Sequence, residues 1–229
     1  MLINIFGKRG SGKTTLIAGN LNEFPAPVIV VDILGNFAND DHDQTESLQE
    51  SIYLAENYYL NPKEQNPIII LQTPDPDLAV EFISATLWEL AEKYGHGGTL
   101  VLDEVDSISY SKGSCFDQLI RYGRNKGINL ITGCRRPAEI SRNITAGANK
   151  IYIFQTQEPR DVEYFEKTLL GDRAEKLMSL KKHHGLLLDY DREEMCVFSC
   201  DVDGNVKIIQ VEPINTKIGT DEIVSPEPK

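Results

Sequence analysis

Residues 7–14 read Gly7-Lys8-Arg9-Gly10-Ser11-Gly12-Lys13-Thr14, with the spacing G-x-x-x-x-G-K-[ST]. These residue types suit one task, the capture of a polyphosphate. Glycines at this spacing let the backbone curl until its N–H groups face an anion, and a helix beginning beside them adds the positive end of its dipole. Lys13 is placed to reach β- and γ-phosphates, and the Thr14 hydroxyl to ligate Mg²⁺. The candidate nucleotide-binding set is therefore Gly7, Lys8, Arg9, Gly10, Ser11, Gly12, Lys13, Thr14 and Thr15, with Thr14 also a metal ligand.

A second group of residues complements the first. Thr99-Leu100-Val101-Leu102-Asp103-Glu104 is an apolar run ending in two acids. At the carboxyl end of a strand, Asp103 would lie beside Thr14 and hold Mg²⁺ through water. Glu104 would then polarise a water for attack, as a general base must. A glutamate directly after the metal-binding aspartate favours hydrolysis over phosphate transfer to a small substrate. Charge developing on the γ-phosphoryl group needs a cation, often an arginine from a neighbouring subunit. Arg124, at the end of a helix just before a strand, is the first candidate, and Arg121 the second. Asp106 reads as a solvated loop acid, and Asp40, Asp41 and Asp43 fit no known cation cage.

These groups need elements that bring them together. Leu2–Phe6 reads as a buried strand and Thr14–Leu21 as a helix, so the loop lies between strand and helix as its chemistry requires. Apolar runs at 27–32, 67–71, 99–102, 128–132 and 151–155 read as further strands. Helices are expected at 47–55, 74–94, 117–125, 159–169 and 172–180, and Pro137 opens another segment. In the long helix, Leu78, Phe82, Leu87 and Leu90 are expected on the buried side and Trp88 in the core or an interface. Residues 35–44 read as a solvated loop. Stretches 185–190, 195–199 and 206–211 look like short antiparallel strands, with Asp203-Gly204 as a hairpin turn. The alternation implies an α/β fold, with a mainly parallel central sheet flanked by helices and ligands at the carboxyl ends of its strands. One domain is expected over 1–214 and a flexible polar tail over 215–229.

Composition narrows the function classes. The 229 residues are 41% hydrophobic and 25% charged, which suits a globular chain that can bury a sizeable core. No apolar run approaches the ~20 residues that cross a bilayer, and the start reads as a strand rather than a signal sequence, so a cytoplasmic location is expected. The four cysteines form no C-x-x-C pair and are expected as free thiols. A formal charge of −12 argues against a general electrostatic footprint for nucleic acid. A ring-shaped motor escapes that objection, because only its channel loops need to meet phosphates. Lys8-Arg9 and Lys181-Lys182-His183-His184 are the short basic clusters; the second could face DNA or simply be a solvated helix end.

Taken together, Gly7–Thr14, Asp32–Phe37, Leu100–Glu104, Arg121–Ile128 and Arg136–Ile144 resemble the HerA/FtsK superfamily of ring-forming, DNA-pumping P-loop ATPases. Ile151 and Gln155–Asp161 also fit that pattern, and the likeness spans about residues 1–180. Within the superfamily, the compact chain resembles the genome-packaging ATPases of membrane-containing icosahedral viruses and phages. That resemblance implies ATP and Mg²⁺ as cofactors, with Lys13, Thr14, Asp103 and Glu104 in the roles above and Arg124 as the trans-acting finger. It also implies double-stranded DNA as partner, a homo-oligomeric ring (hexamer or pentamer), and contact with capsid or portal-vertex proteins. Conjugation, plasmid or phage export, a slowly hydrolysing assembly switch, and a small-molecule kinase are the competing functions. The chain departs from the superfamily in two places. Arg135 stands where members commonly carry a γ-phosphate-sensing Gln, so that either Arg135 senses by charge or Thr132 has taken over. Asn36 stands where an acid is usual.

Overall fold

The structure is a computed structural model that describes residues 1–37, 41–61 and 67–214. Along the chain run β1 (Leu2–Phe6), α1 (Lys13–Gly19), β2 (Val28–Val31), β3 (Asp43–Thr45), α2 (Leu48–Leu60), β4 (Ile68–Leu71), α3 (Pro76–Tyr94) and β5 (Gly98–Leu102). There follow α4 (Cys115–Tyr122), β6 (Ile128–Cys134), α5 (Arg142–Ala146), β7 (Lys150–Phe154), α6 (Pro159–Phe165), α7 (Lys176–Ser179), β8 (His184–Asp189), β9 (Glu194–Cys200) and β10 (Val206–Pro213).

Among the described residues, ten strands form one sheet in the order β10-β9-β8-β7-β1-β6-β5-β2-β4-β3. From β7 to β3 every neighbouring pair is parallel. From β7 to β10 every pair is antiparallel, so the terminal strands widen the main sheet. Every residue of β1, β2, β4, β5 and β6 is buried, as expected of parallel strands covered on both faces.

Side-chain alternation sorts the apolar residues into two layers. Leu2, Phe6, Ile29, Val31, Leu100 and Leu102 join the side that carries α2 to α7. Ile3, Ile5, Val28, Val30 and Val101 join the other, where among the described residues α1 is the only α-helix, contributing Leu16 and Ile17. The helices start where side chains accept orphan N–H groups: Asp75 takes Leu78 N at 3.0 Å to open α3. Glu81 of α3 caps α4 across space, accepting from Cys115 N at 2.7 Å and Phe116 N at 3.1 Å. Burial opposes ionisation of Glu81, yet those backbone donors win and hold its carboxyl below the usual range.

Several expectations need correction. Leu78 and Phe82 are 48% and 51% exposed; the buried side of α3 is instead Ala79, Val80, Ile83, Leu87, Leu90 and Ala91. Trp88 does pack, half-buried, against the core, and it donates to Glu92 Oε1 at 3.1 Å. The loop expected over 35–44 runs into β3, Asp43–Thr45, which lies parallel to β4. The helix expected at 117–125 is α4 followed by a 3-10 turn, Gly123–Lys126. The segments expected at 159–169 and 172–180 are broken by π and 3-10 turns, Glu166–Leu170 and Gly171–Glu175. The polar tail expected at 215–229, and Asp40 of the carboxylate group, lie outside the described residues. All four cysteines are free thiols.

Candidate nucleotide-binding site

The site forms where β1, β5 and β6 end. In the sheet β6 lies between β1, which leads into the phosphate loop, and β5, which leads into Asp103 and Glu104. Gly10 and Gly12 adopt φ values of +75° and +112°, a region an L-side chain rarely enters, and this curls the loop. Gly7 is excluded from carrying a side chain for another reason: a Cβ there would come within 2.4 Å of Ser11 Oγ and 2.9 Å of Phe154 Cβ. Leu16 N donates to Gly12 O at 2.8 Å, so α1 rises directly from the loop. Lys13 is only 4% exposed.

Across the sheet, the Thr14 hydroxyl donates to Asp103 Oδ2 at 2.5 Å. The two expected metal-binding side chains thus converge, and their hard oxygen donors suit Mg²⁺. Ser11 Oγ is buried and has no hydrogen-bond partner among the described residues, as an atom meant for a phosphate oxygen would be. These features fit a Mg²⁺-triphosphate held by the loop.

Glu104 is 7% exposed and has the left-handed backbone, φ +64°. Burial, together with the neighbouring Asp103 and Asp106 carboxylates, pushes its carboxyl above the ordinary glutamate range, against the pull of Lys13 and Arg135. Arg135 Nε forms an ion pair with Glu104 Oε2 without hydrogen-bond alignment. A cleft of about 560 Å³ joins these groups, lined by Lys13, Thr14, Asn36, Glu104, Ser107 and Arg135 among others. Its far wall is shaped by Asp32, whose carboxylate accepts from Asn36 N at 3.0 Å and Phe37 N at 2.9 Å.

Of the two groups considered for phosphate sensing, Thr132 faces away. It is fully buried and donates to Asn4 Oδ1 at 2.7 Å inside the sheet, while Arg135 borders the cleft. Asp106, read as a solvated acid, instead accepts from Arg135 N at 3.3 Å and fixes the backbone that carries that arginine. Arg121 is engaged by Asp117 at 3.0 Å on its own helix. Arg124 precedes β6 and Arg135 follows it; seven residues at ~3.3 Å each put them roughly 20 Å apart. Arg124 therefore lies at the opposite end of the sheet from the phosphate loop of its own chain, 3.8 Å from Asp191.

Gly133 and the contact that His183 makes with the phosphate loop escaped the sequence reading. A Cβ on Gly133 of β6 would strike Asp103 Oδ1 at 2.2 Å, so the absence of a side chain there makes room for the carboxylate. A glycine inside an apolar strand is the signal that could have flagged it. His183 places Nδ1 3.0 Å from Ser11 O, a contact that sequence separation concealed.

Fold and site together define a P-loop NTPase. No protein-family model matches the chain. By sequence it is 28% identical over 197 residues to the DNA packaging ATPase P9 of Enterobacteria phage PRD1, covering 82% of this chain and 81% of P9. By structure it resembles the genome packaging NTPase B204 from Sulfolobus turreted icosahedral virus 2. The sulfate complex of B204 matches with a TM-score of 0.67 at 18% identity, covering 86% of this chain and 94% of that one. The complex of B204 with ATP-gammaS gives 0.65 at 20% identity, covering 93% and 97%. The resemblance to viral genome-packaging ATPases drawn from the motifs is borne out by these relatives. Among the described residues no helix is long and apolar enough to cross a membrane.

Proposed function

We propose that this chain is an ATP-hydrolysing motor that moves double-stranded DNA, and that its task is to pack a viral genome into a preformed capsid. The observation that carries the reading is the convergence of Thr14 and Asp103 beside Lys13 and Glu104, in a chain whose sequence relative P9 is a DNA packaging ATPase. Mg²⁺, when bound, supplies the charge that neutralises the triphosphate, with Thr14 and Asp103 holding it. Lys13 binds the terminal phosphates. Glu104 takes the proton of the attacking water, and Asp106 aims Arg135 so that its charge senses the terminal phosphate. Arg124, too far from its own loop, acts on the nucleotide of a neighbouring copy in a pentameric or hexameric ring. Capsid or portal-vertex proteins are the assembly's partners, and the host cytoplasm its place of work. With a net charge of −12, DNA contact is confined to loops lining the channel.

The test is the ATPase rate against added double-stranded DNA at low and moderate salt, with Glu104→Gln as control. Several-fold stimulation that weakens with salt and vanishes in the variant is the expected result. A rate indifferent to DNA at low salt, yet lost in Glu104→Gln, would remove the DNA motor and leave the nucleotide site.

A further inference from the structure

Among the described residues only three non-glycine residues have positive φ, and two of them, Glu104 and His183, border the phosphate loop. Such backbone is strained for an L-residue and persists where surrounding contacts enforce it. At His183, φ is +61°. Its flanks are tied down: His184 N donates to Lys181 O at 3.1 Å, and Cys200 N of β9 donates to His183 O at 2.9 Å. The outcome is an imidazole laid against the loop, with Nδ1 3.0 Å from Ser11 O. A Cβ on Gly12 would come within 3.3 Å of the same nitrogen. A carbonyl can only accept, so Nδ1 carries the proton.

The peptide joining Ser11 to Gly12 is planar and trans, so its C=O and N–H point in opposite directions. Anchoring the carbonyl on one side commits the Gly12 N–H to the other. We propose that His183 is a positioning residue for the phosphate loop: by binding Ser11 O it turns the Gly12 N–H toward the phosphates, so that the β8–β10 extension sets nucleotide affinity. This rests on the nucleotide-hydrolysing role proposed above. The same extension grips the far end of α1. Asn20 Nδ2 donates to Gly204 O at 3.0 Å, and a Cβ on Gly204 would come within 2.9 Å of Gly19 Cα, the last residue of α1. The loop and its helix are thus held at both ends by the last three strands. The Lys181–His184 cluster, which the sequence left between a DNA-facing loop and a solvated helix end, gains a task in which one histidine faces inward.

The test compares the whole chain with His183→Gly and His183→Asn. Glycine accepts the backbone conformation and removes the imidazole with its donor; asparagine tolerates that conformation and returns an N–H donor on a short side chain. Two readouts are taken: KM and kcat for ATP, and hydrogen exchange of the amides of residues 10–14 in protein without nucleotide. In His183→Gly, KM should rise about tenfold while kcat stays within about threefold. Exchange at 10–14 should quicken with β1 and β6 unchanged, and His183→Asn should restore both readouts to within about threefold of the original. A glycine variant with the original KM and exchange would overturn the proposal, as would an asparagine variant no better than glycine. Displacement of a fluorescent ATP analogue by ATP on the unaltered chain separates the two claims. No binding there would sink the proposed function, while the exchange comparison still decides for or against His183.

Discussion

The parallel strands β7 to β3 and the antiparallel strands β8 to β10 share one sheet but divide its labour. The parallel part is mostly apolar on both faces; Asn4 and Thr132 within it bond to each other, and its strands deliver charged groups to the cleft where they end. Val31 gives way to Asp32, Leu102 to Asp103, and Cys134 to Arg135. The antiparallel part alternates: β9 is buried at every second position for much of its length, and β10 is mostly exposed. It brings no acid or base to the cleft of Lys13 and Glu104, and reaches the phosphate loop through turns alone. Chemistry is placed by strands that all point one way, because their ends meet on one rim. Tuning comes from strands whose connecting turns fall beside that rim.

The largest effects should come from the parallel part. Lys13→Ala and Glu104→Gln should each lower kcat/KM by about 10²–10⁴-fold, measured by phosphate release. Glu104→Gln should at the same time raise the melting temperature at neutral pH. Burial raises the folded-state pKa of Glu104, so the stability it contributes is complete below the ordinary glutamate value and lost as pH rises through the raised one. The advantage of the glutamine variant should therefore shrink as pH falls into the ordinary glutamate range. The acid limb of kcat/KM against pH should likewise lie above that range; a limb at the value of a free glutamate would remove Glu104 as the base.

Next is Gly133→Ala, where the added methyl would strike Asp103 Oδ1. A loss of tenfold or more in Mg²⁺-dependent turnover, with about 1–3 kcal/mol of stability, is expected, and unchanged turnover would show that Asp103 tolerates displacement. Gly204→Ala should sharpen the contrast. It should cost about 1–3 kcal/mol in denaturant unfolding and raise KM while largely sparing kcat, because the overlaps with Thr15 O and Gly19 Cα press on the backbone of α1 and not on Glu104. The smallest effect is reserved for Arg136→Ala. Its pair with Glu139 lies in solvent, so the melting temperature should not move measurably.

What the sequence made legible follows the same division. The phosphate loop, Asp103 and Glu104 were readable because each depends on a short apolar run followed by a few polar residues. The orientation of α3 was misread because Leu78 and Phe82 make as good a helical stripe as Val80, Ile83 and Leu87, and only packing chooses between them. Strand β3 was invisible, being three polar residues that form a strand solely by lying along β4. The position of Arg124 required knowing that β6 carries its two flanking arginines to opposite ends of the sheet. Gly133 and His183 act on residues 30 and 172 positions away, and no local pattern encodes such meetings.

Strand β10 has a practical consequence for anyone handling the protein. It forms one edge of the sheet, with a register shift between Ile208 and Gln210 and with Ile208, Ile209 and Val211 partly in solvent. A version cut before Val206 would bare the edge of β9, adding unpaired backbone groups alongside Met195, Cys196 and Phe198, which are now buried. Such an edge recruits other chains. Shortened versions should therefore keep every residue through Ile214, whose N–H donates to Glu193 O at 2.9 Å and fastens the strand's end.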